Sequence, residues 1–193
     1  ITDAEARSVT LAVLLHDVGH GPFSHVLERV LLPGLSHEQL SEKFMKFFNK
    51  TFDGALEMAI DIFRGTYHKK FLHQLVASQL DLDRMDYLTR DSYFTGVQEG
   101  VIGYDRIIKM LTVSDGKLAV EEKGIYSIEK FIIARRLMYW QVYLHKTVLC
   151  VEEMLIKALE RARELLLKGV HIFATPSLHY FLNAEKSAGD DKE

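Results

Sequence analysis

The chain has one cysteine, three prolines and no long apolar run. A lone Cys150 cannot close an internal disulfide, which excludes a disulfide-built scaffold and leads us to expect a reducing, cytoplasmic setting. Three prolines in 193 residues leave little to interrupt helices. No apolar stretch approaches the roughly 18 residues a membrane span needs, and neither a signal peptide nor a basic tract is visible, so no membrane partner is expected. An excess of one charge is missing too. Against 24 Lys and Arg stand 27 Asp and Glu, a net charge of −3, so nucleic acid is not the indicated partner, although a local basic pocket is compatible with this balance. What is present, 48% hydrophobic and 26% charged residues, is the composition of a globular domain, and a chain of this length can remove roughly 70% of its unfolded surface from water. Nine histidines stand out, four of them within residues 16–37, and they point to a site. The chain opens at Ile1 without an initiator methionine and already reads as helix there, so a fragment of a longer protein is expected.

Apolar periodicity predicts helices through most of the chain. The first covers 2–18, with Thr2 or Asp3 as cap, Glu5 in its first turn, and Val9, Leu11, Ala12, Leu14 and Leu15 as its apolar face. Gly19, Gly21 and Pro22 stop it, and a second runs over 23–32 to Pro33-Gly34. Ser36 with Gln39 forms a capping box for a third helix, which would bury Leu40, Phe44, Phe47 and Phe48 and carries His37 in its first turn. Further helices are expected over 54–64, 69–80, 81–91 and 105–111. Asp115-Gly116 between short apolar stretches predicts a small β-hairpin near 111–120. From 127 to 168 neither glycine nor proline occurs, which predicts one very long helix or two abutting ones. Residues 170–182 would pack back, and 183–193 form a polar end. The organisation expected is a core over 1–168 and a C-terminal segment over 169–193.

The informative run is His16-Asp17-Val18-Gly19-His20-Gly21-Pro22-Phe23-Ser24-His25. A His-Asp pair alone carries little, since this composition yields roughly 0.6 by chance. Its setting adds weight, because a carboxylate at a helix C-terminus opposes the macrodipole, and the apolar turn before it would bury this helix end, where an ionised carboxylate needs a cation beside it. A divalent ion would supply that charge, and imidazole with carboxylate suits Zn, Fe, Mn, Ni or Mg alike. The plain structural alternative makes His16 a core histidine bonded to a backbone carbonyl. A second cluster, Asp81-Leu82-Asp83-Arg84-Met85-Asp86-Tyr87-Leu88-Thr89-Arg90-Asp91, places Asp83, Tyr87 and Asp91 on one helix face, either as a salt-bridged surface or as ligand and substrate contacts.

These motifs, with Ser36-His37-Glu38-Gln39 between them, resemble the HD-domain metal-dependent phosphohydrolases, specifically the deoxynucleoside triphosphate triphosphohydrolase branch, over about residues 8–150. The resemblance implies an all-α HD-domain helical core and a divalent metal held by His16, Asp17 and Asp83, the family's upstream histidine ligand having no counterpart in this sequence. It implies His37 as catalytic histidine with Glu28 orienting it, a role for which a carboxylate partner is suited because it fixes the tautomer. His20 and His25 would line the phosphate side, Arg84 and Arg135 would contact phosphate, and Tyr87 and Asp91 the deoxyribose. The substrate implied is a nucleotide, most specifically a deoxynucleoside triphosphate cleaved to deoxynucleoside and triphosphate, and the partner implied is a second copy of the chain. Hydrolysis of cyclic, mono- or signalling nucleotides, and nucleotide or nucleic-acid binding without turnover, remain open at this point.

Overall fold

The computed structural model of the chain describes residues 1–23 and 25–183; the polar end expected over 183–193 lies outside them apart from Asn183. Helix α1 is Asp3–Leu15, and its start is a reciprocal capping box: the Glu5 N–H donates to Thr2 Oγ1, and the Thr2 N–H donates to the Glu5 carboxylate. Helices α2 (His25–Leu31) and α3 (His37–Thr51) follow, the latter capped as its sequence predicts, with the Ser36 N–H 3.0 Å from Gln39 Oε1 and the Gln39 N–H 3.3 Å from Ser36 Oγ. Next come α4 (Glu57–Phe63), α5 (Lys70–Val76) and α6 (Leu82–Thr95). Asp81 caps α6 by accepting the Arg84 N–H at 2.8 Å, and Gly96 ends it in the left-handed conformation. Helix α7 (Tyr104–Met110) leads into an antiparallel hairpin of β1 (Leu111–Ser114) and β2 (Lys117–Val120). Its turn residues Asp115 and Gly116 have φ of 50° and 72°, the two positive values a type I′ turn demands. The helical stretch expected over 127–168 divides into α8 (Ile125–Met138), a π-helical turn (Tyr139–Tyr143) and α9 (Lys146–Leu167). Helix α10 (Pro176–Asn183) closes the described chain. The fold is all-α with one hairpin, and among the described residues no helix is long and apolar enough to cross a membrane.

Two compact units divide the chain. The first comprises Ile1–His16 and Phe44–His145. One of its cores packs Val9 and Ala12 of α1 with Met45, Ala59, Ile62, Leu72 and Val76. A second packs Met85 and Leu88 of α6 with Ile107, Phe131, Ala134 and Met138. Each fully buried large side chain contributes about 1.5–3 kcal/mol relative to exposure. Near the start of this unit, buried Glu5 accepts from Tyr67 Oη at 2.8 Å and from Lys69 Nζ at 2.7 Å. Lys69, the Thr2 N–H and Tyr67 together hold its carboxyl down at about 2. The expected apolar faces are partly corrected: Leu14 is 72% exposed, and on α3 Phe44 and Phe47 face solvent while Ser41 and Met45 are the buried positions. Phe48 does pack against the core, as predicted.

The second unit holds Asp17–Lys43 and the chain from Lys146 onward. Val26, Val30 and Leu31 of α2 meet Ile156 of α9 and Leu182 of α10, so the segment after 170 does pack back. The Arg163 guanidinium reinforces this by donating to the carbonyls of Val30 at 2.7 Å, Phe181 at 3.2 Å and Leu182 at 3.4 Å. One side chain thereby supplies donors to three backbone carbonyls, one on α2 and two on α10.

Candidate functional site

The predicted site residues fall into two groups, one in each unit, and the boundary runs through the His-Asp dipeptide: His16 closes a segment of the first unit and Asp17 opens the second. In the first unit His16 Nδ1 lies 2.6 Å from the Val13 carbonyl, one turn back at the end of α1. A carbonyl only accepts, so Nδ1 carries a proton, and in the neutral form of the ring Nε2 presents a lone pair. That atom lies 3.7 Å from Asp83 Oδ1, in the first turn of α6. The backbone-bonded histidine and the ligand histidine are therefore compatible readings of His16, since the first contact is what aims the second nitrogen.

Two electron-rich atoms facing each other are mutually repulsive in the neutral tautomer, and a cation between them reverses the sign. Donors at about 2.1 Å from a divalent ion, at tetrahedral or octahedral angles, stand roughly 3.0–3.5 Å apart, close to the observed separation. The adjoining carboxylate of Asp17 is the next side chain along the backbone; contrary to the burial expected of this helix end, it is exposed, its side chain 48% accessible. An imidazole whose far nitrogen is fixed by a carbonyl, with carboxylates beside it, is a donor set that fits a divalent metal.

Beyond Asp83, α6 presents Arg84, Tyr87 and Asp91. Arg84 Nε donates to the Ser78 carbonyl at 2.8 Å and to Asp81 Oδ2 at 3.2 Å, so the α6 cap also locks the guanidinium. Burial works against the Arg84 charge, but the Asp81 carboxylate and Tyr87 outweigh it and keep the group protonated. Asp91 accepts a hydrogen bond from Tyr143 Oη at 2.7 Å, and the Tyr87 and Tyr143 rings meet edge to face at 5.8 Å. Burial first, then the Asp91 contact, pushes the Tyr143 phenol far above its ordinary range, so it stays a donor. Arg135 reaches Gln79 Oε1 at 2.8 Å and lies 5.7 Å from the centre of the Tyr139 ring. Tyr139, Tyr143, Gln79 and Asp81 were not assigned from sequence. Asp81 was signalled by its capping position ahead of α6, whereas Tyr139 and Tyr143 belong to the π-helical turn, which no period of 3.6 anticipates.

In the second unit three imidazoles gather on one carboxylate. Glu28, in the first turn of α2, has Oε1 at 3.1 Å from His37 Nδ1 and at 3.7 Å from His20 Nδ1, with Oε2 at 3.6 Å from His25 Nδ1. Only the His37 contact is of hydrogen-bond length, and it puts the proton on Nδ1 and leaves Nε2 to exchange protons. The His20 ring stacks on that of His37 at 3.9 Å and 14°, and its Nε2 lies 3.6 Å from Asp17 Oδ1. Burial, followed by the proximity of His37, pushes His20 below its ordinary value, with Asp17 opposing. Two stacked imidazoles that both carried charge would repel each other. His25 is more exposed, its side chain 69% accessible.

Comparison with known proteins gives these geometries a context. The description HD domain matches residues 2–91, and the description HD associated region matches residues 102–172. The chain is 35% identical to the uncharacterized Bacillus subtilis protein YwfO, covering 93% of this chain and 42% of that protein. It is 30% identical to a Dictyostelium discoideum homolog of the deoxynucleoside triphosphate triphosphohydrolase SAMHD1, over 86% of this chain and 35% of that one. A crystal structure of a phosphohydrolase from Bacteroides thetaiotaomicron superposes with a TM-score of 0.93 at 60% identity, covering 94% of this chain and 45% of that one. The chain thus spans less than half the length of each of these relatives.

Proposed function

This chain is an HD domain followed by an HD associated region, and from that premise we propose that it carries the catalytic machinery of a metal-dependent phosphohydrolase acting on deoxynucleoside triphosphates to release deoxynucleoside and triphosphate. The observation that carries the proposal is the His16 ring, fixed by the Val13 carbonyl and aimed at Asp83. His16, Asp17 and Asp83 would hold the divalent ion. When bound, that ion supplies Lewis-acid polarisation of a phosphoryl oxygen.

The chain's own residues divide the remaining work. His37 holds a proton at Nδ1 against Glu28, so its Nε2 accepts a proton from the attacking water or delivers one to the departing sugar oxygen. His20, whose basicity burial lowers, donates or accepts hydrogen bonds beside it. His25 in the second unit, and Arg84 and Arg135 in the first, are each proposed as donors to phosphate oxygens. Asp91, with Tyr143 donating to one of its oxygens, keeps a second oxygen to accept a sugar hydroxyl, and the Tyr87 ring packs against Tyr143 beside it. Deoxynucleoside triphosphates are favoured over other nucleotides by this sugar-directed pair and by the SAMHD1 relatives. Assembly into a homo-oligomer is part of the same proposal, supported by the exposed apolar residues Val148, Leu149, Val151 and Met154 on α9.

The test is product analysis. The full protein, loaded with each of several divalent ions, is incubated with deoxynucleoside triphosphates and with cyclic and monophosphate nucleotides. Release of inorganic triphosphate supports the proposal. Release of orthophosphate from monophosphates, or of a linear monophosphate from cyclic nucleotides, moves the substrate class, and nucleotide binding without turnover under any ion overturns the catalytic reading.

A further inference from the structure

The turn that carries His20 is held against α3 by a contact outside the proposed chemistry. The Gly19 N–H donates to Ser41 Oγ at 2.9 Å, in a place where Gly19 is buried and Ser41 has no solvent exposure. Gly19 is needed there for a second reason. A side-chain carbon on it would collide with the His37 carbonyl oxygen and the Ser41 nitrogen and stand 2.8 Å from Leu40 Cβ, so the turn lies directly on the first turns of α3. The residue after Gly19 is His20, and its ring is the one stacked at 3.9 Å on His37. Ser41 is one helical turn beyond His37, on the same helix. One hydroxyl therefore ties the backbone beside His20 to the helix that carries His37.

From this geometry we infer that Ser41 is a positioning residue: by accepting the Gly19 N–H it sets the height of the His20 ring over His37, and through that stack it keeps the His37 imidazole aligned on Glu28. The consequence for reaction rests on the role proposed for His37; the positional consequence does not. Ser41→Ala leaves the Gly19 N–H buried without its acceptor, and the turn relaxes away from α3 to find another partner. A ring released from its stack rotates about its side-chain bonds, and the His37 contact to Glu28 loosens with it. Displacements of several tenths of an ångström at a proton-transfer group lower turnover on the order of tenfold, while substrate binding through the phosphate donors is spared.

Two readouts test this on the intact chain labelled with 15N-histidine. In the unchanged protein the imidazole nitrogen shifts of His37 are expected to report a single tautomer with the proton on Nδ1. In Ser41→Ala they are expected to move towards a mixture, with His20 resonances shifting alongside, while circular dichroism stays that of the folded protein. Triphosphate release is expected to lose about tenfold in kcat with KM changed by less than twofold. Ser41→Cys, similar in volume but a weaker acceptor, should fall between the two in both measurements, and it decides the matter if Ser41→Ala does not fold. Unchanged His37 and His20 nitrogen shifts in a folded Ser41 variant overturn the inference, as does a loss confined to thermal stability. Should triphosphate never be released, the nitrogen shifts still give the answer for positioning while the functional reading fails separately.

Discussion

Replacing Glu28 with glutamine is the sharpest perturbation of the proposed chemistry. The change is nearly isosteric, so the packing around α2 is kept, but the amide carries no charge and presents both a donor and an acceptor to His37. Two effects result. The carboxylate no longer selects the Nδ1–H tautomer, because an NH₂ group turned towards His37 favours the opposite one. The imidazolium formed during proton transfer also loses its counter-charge. With Glu28 Oε1 at 3.1 Å from Nδ1 and the charge centres somewhat further apart, the attraction is about 4 kcal/mol at an effective dielectric constant near 20. Side-chain exposures of 18% and 21% mean that water screens part of it, leaving about 2–3 kcal/mol. At about 1.4 kcal/mol per decade this is roughly a hundredfold in kcat, before any tautomer penalty.

The assay is initial-rate release of triphosphate at saturating nucleotide in the metal-loaded protein, with nucleotide affinity measured separately by calorimetry. A drop of about a hundredfold in kcat with affinity kept within threefold is expected. A Glu28→Gln protein that retains kcat within threefold would refute the reasoning, for it would show that His37 does its work without the carboxylate or does no work at all. Glu28→Ala distinguishes these outcomes further: it opens space and frees His20 and His25 as well, so it should lose more activity than the glutamine variant.

Asp83→Ala should lower bound divalent metal, measured by elemental analysis after dialysis, to a small fraction of the unchanged protein's content, since His16 Nε2 then faces no carboxylate from α6; undiminished metal content would refute the ligand assignment. Tyr143→Phe removes a 2.7 Å hydrogen bond to an ionised acceptor, worth about 1.5–3 kcal/mol, and should raise KM for deoxynucleotides by about tenfold or more with a smaller change in kcat. An unaltered KM would remove Asp91 from the sugar contact. For Glu5, whose carboxyl is held at about 2 against an ordinary 4.5, the sign is that of a depressed acid: its contribution to stability is complete above pH 4.5 and is lost as pH falls towards 2. Melting temperatures of the unchanged protein and Glu5→Gln should therefore differ by a constant amount above pH 5 and converge below it, and a gap that persists unchanged to pH 2 would show that charge is not the origin.

How much of this architecture can be reached from the sequence depends on whether the cause is local. The Asp115-Gly116 turn and the Ser36/Gln39 cap act over four residues or fewer, and each appears where its residues predict it. The inward face of α3 does so only in part. Of the apolar stripe Leu40, Phe44, Phe47 and Phe48, Phe48 packs against the core, but Phe44 and Phe47 face solvent while Ser41 and Met45 are buried. At Ser41 the close approach of the Gly19 backbone requires a small side chain with an acceptor rather than a large apolar one. Hydrophobicity cannot rank a buried serine above an exposed phenylalanine. The Tyr143–Asp91 contact fails to show for a related reason. A π-helical turn accommodates one extra residue, which rotates the downstream residues by about 100° relative to an uninterrupted helix, so counting forward from Arg135 puts Tyr143 on the wrong face. The histidines were legible because their chemistry is rare and their spacing tight, whereas the residues that hold them in place are ordinary in type. Ser41, Gly19 and Val13 act through a hydroxyl, a missing carbon and a carbonyl, and these acquire their meaning only when the chain has brought them within 3 Å of their partners.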